Sequence, residues 1–365
     1  QILSGGVPYE ISTNYLEADL FDLQFAQDAD TMYIVHKDYP PAKLTRTGHT
    51  AWTLTAVDYT ADPNRPALMD DNTSTTTITP SADSGAGITL TASVAIFDET
   101  HEGSIWKVKD GYVEITDVAA GGLKTVATGD VLYGGDLNTG PAATTDWAEG
   151  AWSGYRGYPS TVCFFEERLI MAGSDDEPQD IWGSTIGEYD NFETGTGDDD
   201  SFNYTIASQQ VNAIRWAVPT KVLAFGTSGG NFVASTGSSN EPISPTNIQI
   251  KPETSYGSAL LIPKRIGHYV YYIQRDNRTL RELSYDYASD SFVSLDMTLL
   301  SEHVTESGIT NMDYQESPDN ILWMVRDDGE IATLTRQIDQ QIIGWSRQII
   351  GGSFNGGNAV VESVA

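Results

Sequence analysis

The sequence predicts an all-β protein: a β-propeller-like body of roughly 50-residue, four-stranded blades with an inserted small β-barrel or sandwich domain. Three observations predict it. Short apolar runs rich in Val, Ile, Thr and aromatics alternate with turn residues, in a chain of 365 residues with 34 Gly and 15 Pro. No long stretch places apolar residues at the helical period. And similar groups of four runs recur along the chain.

The first group is Phe21–Gln27, Asp30–His36, Lys43–Arg46 and Trp52. The second is Tyr158–Phe165, Arg168–Gly173, Asp180–Trp182 and Phe192. The third is Val211–Ala217, Val222–Gly226 and Gly230–Ser235. The fourth is Ala259–Lys264, Tyr269–Ile273, Leu280–Tyr285 and Phe292. The fifth is Ile309–Gln315, Ile321–Val325, Ile331–Arg336 and Trp345, and a sixth opens at Ala359. The starts at 158, 211, 259, 309 and 359 lie 53, 48, 50 and 50 residues apart. One such unit cannot bury both faces of its sheet, so it must stack on neighbours.

Between the first two groups the composition shifts. Residues 53–156 carry a Thr-rich stretch (Thr73–Thr79), Asp70-Asp71, small-residue turns at Gly121-Gly122 and Gly134-Gly135, and strand-like runs at Ile88–Ile96, Ser104–Val108, Tyr112–Thr116 and Gly129–Tyr133. The predicted organisation is a first blade over 1–52, an inserted β domain over 53–156, and further blades over 157–365. A start at Gln1 and a strand-like end at Asn358–Ala365 suggest a fragment of a longer protein, truncated at both ends.

Charge excludes several classes of function. With 51 Asp and Glu against 20 Lys and Arg, the net charge is −31. Such a chain repels nucleic acid and anionic membrane, which need a basic footprint. The inserted segment alone holds 15 acids and 5 bases. No apolar run reaches the roughly 18 residues of a bilayer span, and no signal peptide is visible. The single Cys163 excludes an internal disulfide; its setting, Val162-Cys163-Phe164-Phe165, reads as a buried thiol.

The candidate sites are few. Asp175-Asp176-Glu177 and Asp198-Asp199-Asp200 offer hard oxygen ligands but lack EF-hand spacing, so solvated loops are the plainer reading. His36, His49, His101, His268 and His303 stand in no zinc spacing; His36 and His268 read as packing or edge residues. Gly226–Gly230 lacks the Lys of a phosphate loop, and Asp327–Glu330 reads as a hairpin turn. The sequons at Asn72, Asn203 and Asn277 mean little without secretion. Trp147, Trp152 and Tyr155 form either a sugar platform or, more plainly, an aromatic plug between insert and blades. Paired carboxylates are too common in this composition to argue for glycoside hydrolysis. No catalytic, cofactor-binding or metal-binding residue is therefore assigned.

Several short motifs nevertheless carry a resemblance. They include Trp147-Ala-Glu-Gly-Ala-Trp-Ser153, Gly157–Gly173 with its Phe165-Glu-Glu-Arg-Leu169, Ile181-Trp-Gly-Ser184, Tyr189-Asp-Asn-Phe192, Leu223–Gly230, Pro245–Ile248, Tyr256-Gly-Ser258, Arg281-Glu-Leu283, Asp296–His303, Gly329–Thr335 and Gly344-Trp345. In these the chain resembles structural tail proteins of short-tailed bacteriophages, of the tail tubular protein B or nozzle type. The opening, Glu17–Leu20 through Leu44–Arg46, fits as well.

The resemblance implies a non-enzymatic virion protein in the phage tail. Its members form a homo-oligomeric, hexameric ring that contacts the tail adaptor and tail fibre proteins. DNA would pass through it during ejection without specific binding, the host cell surface is a further possible partner, and no membrane insertion is implied. No cofactor comes with it. An acidic wall agrees physically, because it repels the duplex from the bore where a basic wall would hold it. The alternatives are a carbohydrate- or receptor-binding propeller at the tail tip and a propeller glycoside hydrolase.

Overall fold

A computed structural model describes residues 2–133, 137–208, 211–237, 241–354 and 357–365. The Gly134-Gly135 turn expected in the insert lies outside them. The chain is all-β and propeller-like, as the sequence predicts. It divides into two compact units: Gln1–Leu16, Leu23–Ala207 and Thr236–Ile248 form the first, and Glu17–Asp22, Ser208–Ser235 and Gln249–Ala365 the second.

The first unit opens with a hairpin, β1 (Leu3–Ser4) and β2 (Val7–Pro8). A four-stranded antiparallel meander follows: β3 (Gln24–Asp28), β4 (Thr31–His36), β5 (Tyr39–Gly48) and β6 (Ala51–Ala56). The insert supplies β7 (Ile78–Pro80), β8 (Ile88–Ala92), β9 (Ile105–Val108), β10 (Gly111–Asp117), β11 (Val126–Val131) and β12 (Trp147–Ala148). Their order is β12-β9-β10-β11-β8-β7. Ile78 on β7 exchanges two 2.9 Å backbone bonds with Thr144, just before β12, so the two edges of the sheet nearly meet and a small barrel almost closes. That arrangement satisfies edge groups that water or another chain would otherwise have to satisfy. Alternation fills the inside: Ile88, Leu90 and Ala92 on β8 are buried while Thr89 and Thr91 are exposed.

A second meander completes this unit: β13 (Thr161–Phe165), β14 (Arg168–Ala172), β15 (Asp180–Gly183) and β16 (Phe202–Thr205). Every residue of β14 and β15 is buried, as a strand covered on both faces requires. The aromatic expected to mark the fourth strand, Phe192, lies instead in the loop before β16. It packs into a core of Tyr33, Trp152, Leu169, Met171 and Trp182. Core packing, not strand position, explains that aromatic.

In the second unit, β17 (Ile214–Pro219), β18 (Leu223–Thr227), β19 (Asn231–Thr236) and β20 (Ile248–Thr254) form the third blade-like sheet in that order. The Trp216 indole lies flat over Gly226, where a Cβ would overlap the ring, so glycine is required there. The fourth sheet is β21 (Lys264–Ile266), β22 (Tyr269–Ile273), β23 (Leu280–Asp286) and β24 (Ser291–Asp296). The fifth is β25 (Ile309–Gln315), β26 (Ile321–Arg326), β27 (Ile331–Gln337) and β28 (Ile342–Gln348). Asp327–Glu330 is the hairpin turn expected, with Gly329 at φ +78°. A last hairpin joins β29 (Ser353–Phe354) to β30 (Gly357–Asn358). The described residues from Ala359 onward form no strand: Val361 and Val364 donate backbone bonds to Gly329 and to the Asn311 side chain.

Candidate functional site

A buried polar constellation of the first unit lies where the insert meets the second blade. Asp98 caps a short 3₁₀ turn, Glu99–His101, and its backbone N–H donates to His101 Nδ1 at 2.8 Å. That bond leaves the ring proton on Nε2, which faces Glu149 Oε1 at 3.0 Å. Arg156 grips the same carboxylate from the other side, with Nε on Oε1 at 2.9 Å and Nη2 on Oε2 at 2.6 Å. Its remaining amine reaches Asp176. Tyr155 covers the imidazole, with ring centres 4.4 Å apart. His101 is wholly buried and Glu149 nearly so.

Burial pushes the Glu149 carboxyl up, but the Arg156 guanidinium and His101 outweigh it and hold it below the usual range. Two carboxyls elsewhere in the second blade shift the other way. Burial raises Asp180, against hydrogen bonds from Thr205 and Asn203, and one of its oxygens is buried without a partner. Burial, with Asp180 and Asp176 nearby, raises Glu177. Burial thus acts on all three carboxyls, and only Glu149 has cationic partners that reverse it.

The other sequence candidates resolve differently. Asp198-Asp199-Asp200 does face a cation, but it is the chain's own. The buried Arg168 guanidinium donates to the carbonyls of Ser184 (2.6 Å), Asp198 (2.6 Å), Asp199 (3.2 Å) and Asp200 (2.6 Å). Four such bonds give the guanidinium partners where water is excluded, as a buried charge requires. Among the described residues no group of three His, Cys, Asp or Glu is placed to hold a metal ion. Cys163 is buried, and desolvation pushes its thiol up to about 12.

Trp147, Trp152 and Tyr155 do not share a platform. Trp147 stacks on Trp106 inside the barrel, Trp152 packs on Trp182 and Phe192, and only Tyr155 is exposed. His36 is buried, as expected of a packing residue, whereas His49, His268 and His303 are exposed. His101, which anchors the constellation, carried no local signal: its partner Glu149 lies 48 residues away. Asn72 spends its side chain bridging the carbonyls of Ser74, Thr76 and Thr145.

A separate cleft of about 130 Å³ opens against the first blade. It is lined by Ser12, Thr13, Asn14, Tyr15, Tyr39, Pro40, Ala42, Leu54, Thr55 and Ala56. Tyr15 meets Tyr39 edge-to-face at 5.1 Å, and buried His36 supports Tyr39 from its other side at 5.1 Å. Sequence reading missed this cleft because its two walls lie far apart in the chain.

No family model and no curated protein matches the chain. Solved structures similar to it include a protein from Lactobacillus plantarum (13% identity, 88% of this chain and 79% of that one, TM-score 0.35). Others are a 6-phosphogluconolactonase-like protein from Bacteroides uniformis (8%, 88% and 78%, TM-score 0.35) and a luciferin-regenerating enzyme (11%, 89% and 75%, TM-score 0.29). The expectation that the chain is not an enzyme is corrected here, because two of these structures bear the names of enzymes. The physical reason is general: stacked four-stranded sheets present loops that can carry chemistry or contacts alike, so the absence of a sequence motif does not exclude catalysis.

Proposed function

We propose that the chain is a structural module of a short-tailed phage tail, a wall segment of the ring through which DNA passes. The resemblance spread over its many short motifs supports this reading. The observation that carries it is where the cations go. Arg168, Arg281 and Arg326 are buried. Lys43, Arg65, Arg156, Lys264 and Arg336 are largely covered and ion-paired to the chain's own carboxylates. Eight of the 20 cations are thus turned to internal use and are not free for a partner's phosphates. Such a surface gains no counterion-release energy from phosphates and repels a duplex.

The test is the mass of the full-length protein by light scattering, with negative-stain imaging and a duplex-DNA retention assay at low salt. A ring with a central opening that does not retain DNA is expected. A monomer under all conditions, or a ring that binds duplex tightly, overturns the reading.

A second reading, a propeller hydrolase, rests on the buried Asp180 carboxyl, one oxygen of which has no hydrogen-bond partner. Turnover of glycoside or lactone substrates that Asp180→Asn abolishes would favour it over the first.

A further inference from the structure

We infer that the cleft against the first blade is a binding site for a neutral sugar ring. The inference stands apart from the tail reading and needs no assembly.

The lining selects the ligand class. None of its ten residues is charged, on a chain of net charge −31. An anionic ligand finds no cation there and meets the repulsion of the whole protein. A cationic one finds no carboxylate in the lining to pair with. What remains is a neutral molecule with both apolar and hydroxyl faces.

The walls have that same duality. Tyr15 and Tyr39 set their rings at 80° to each other, forming an aromatic corner above Pro40, Ala42 and Leu54. Aromatic faces take the C–H face of a pyranose, as they take other apolar surface. Ser12, Thr13, Asn14 and Thr55 add hydroxyl and amide groups that can both donate and accept, the complement of a sugar's hydroxyls. A volume of about 130 Å³ admits one small ring or the end of a chain, not a buried oligosaccharide.

The corner is also built in advance. Tyr39 is held between Tyr15 and the His36 ring, and His36 is fixed in turn by the Asp38 backbone N–H donating to its Nδ1 at 3.1 Å. Rigid aromatic walls lose little entropy on binding.

Saturation-transfer NMR with glucose, galactose and N-acetylglucosamine tests the inference, with glucuronate and glucosamine as charged counterparts. Transfer from at least one neutral sugar is expected, with a Kd on the order of 1–10 mM. Tyr39→Leu should abolish it. Asn14→Ala and Thr55→Ala, at exposed rim positions, should weaken it several-fold in a chain whose fold is unaltered. No transfer from any neutral sugar overturns the proposal. So does binding that the charged analogues share equally, or that all three variants leave unchanged. Loss of sugar binding bears only on this cleft, whereas a failed ring assay bears only on the tail reading.

Discussion

Glu149 and Asp180 illustrate how residue identity alone misleads in a chain with 51 acids. Glu149 is stabilised in its charged form, so its folded pKa lies below the unfolded one. Its contribution is therefore fully present above the unfolded value of about 4.3 and is lost as pH falls through the folded pKa. Glu149→Gln leaves Arg156 and His101 facing a neutral amide, and should cost about 2–4 kcal/mol at neutral pH. Thermal melts should show that deficit shrinking toward pH 3; a deficit independent of pH would remove the ion pair from the explanation. Asp180 has the opposite sign, since its raised folded pKa makes stability rise as pH falls. None of this was legible in sequence. The acidic run at Asp198–Asp200 read as solvated or cation-binding, yet its carbonyls, which no residue code announces, hold Arg168.

At the scale of elements, the turn signals placed most strands, and the repeat of four runs became four-stranded meanders with neighbours in sequence order. Two runs read as strand lie outside one. Phe192 fills the core instead of opening β16, and the Val360-Val361 segment lies outside any strand. One turn formed against its local preference. Phe165 pairs with Arg168 across a two-residue loop in which Glu166 and Glu167 sit at φ 48° and 60°. Two positive φ values define a type I′ turn, which favours Asn-Gly. A non-glycine residue in that region costs about 1 kcal/mol. Both side chains are exposed. Glu166 receives the Ile243 N–H at 2.6 Å, which gives it a separate reason to stay. Glu167→Gly should therefore stabilise the protein by about 0.5–1 kcal/mol, read as a higher urea midpoint at unchanged slope. A lower midpoint would mean that the flexibility glycine adds to the unfolded chain outweighs the relieved strain.

For the whole molecule, the same charge that disfavours DNA also acts on the fold. A net charge of −31 repels itself, and that repulsion is spread over distances that salt screens well, with a Debye length of about 10 Å at 0.1 M. The ion pairs that offset it are of two kinds. Arg46–Asp30 and Lys37–Asp38 are exposed and worth little, and salt weakens them. Glu149–Arg156 and Glu282–Arg336 are covered, at contact distance, and salt reaches them poorly. Added salt should therefore remove more repulsion than attraction. The melting temperature is expected to rise between 10 and 150 mM NaCl by about 1–2 °C, the shift that about 1 kcal/mol produces in a protein of this size. Sodium sulfate complicates that comparison because it also strengthens apolar burial, so chloride is the salt to use. A fall in melting temperature over the same range would mean that attraction between surface charges dominates. The acidic surface would then be patterned for local pairing, and the physical case for a repulsive conduit wall would lose its premise.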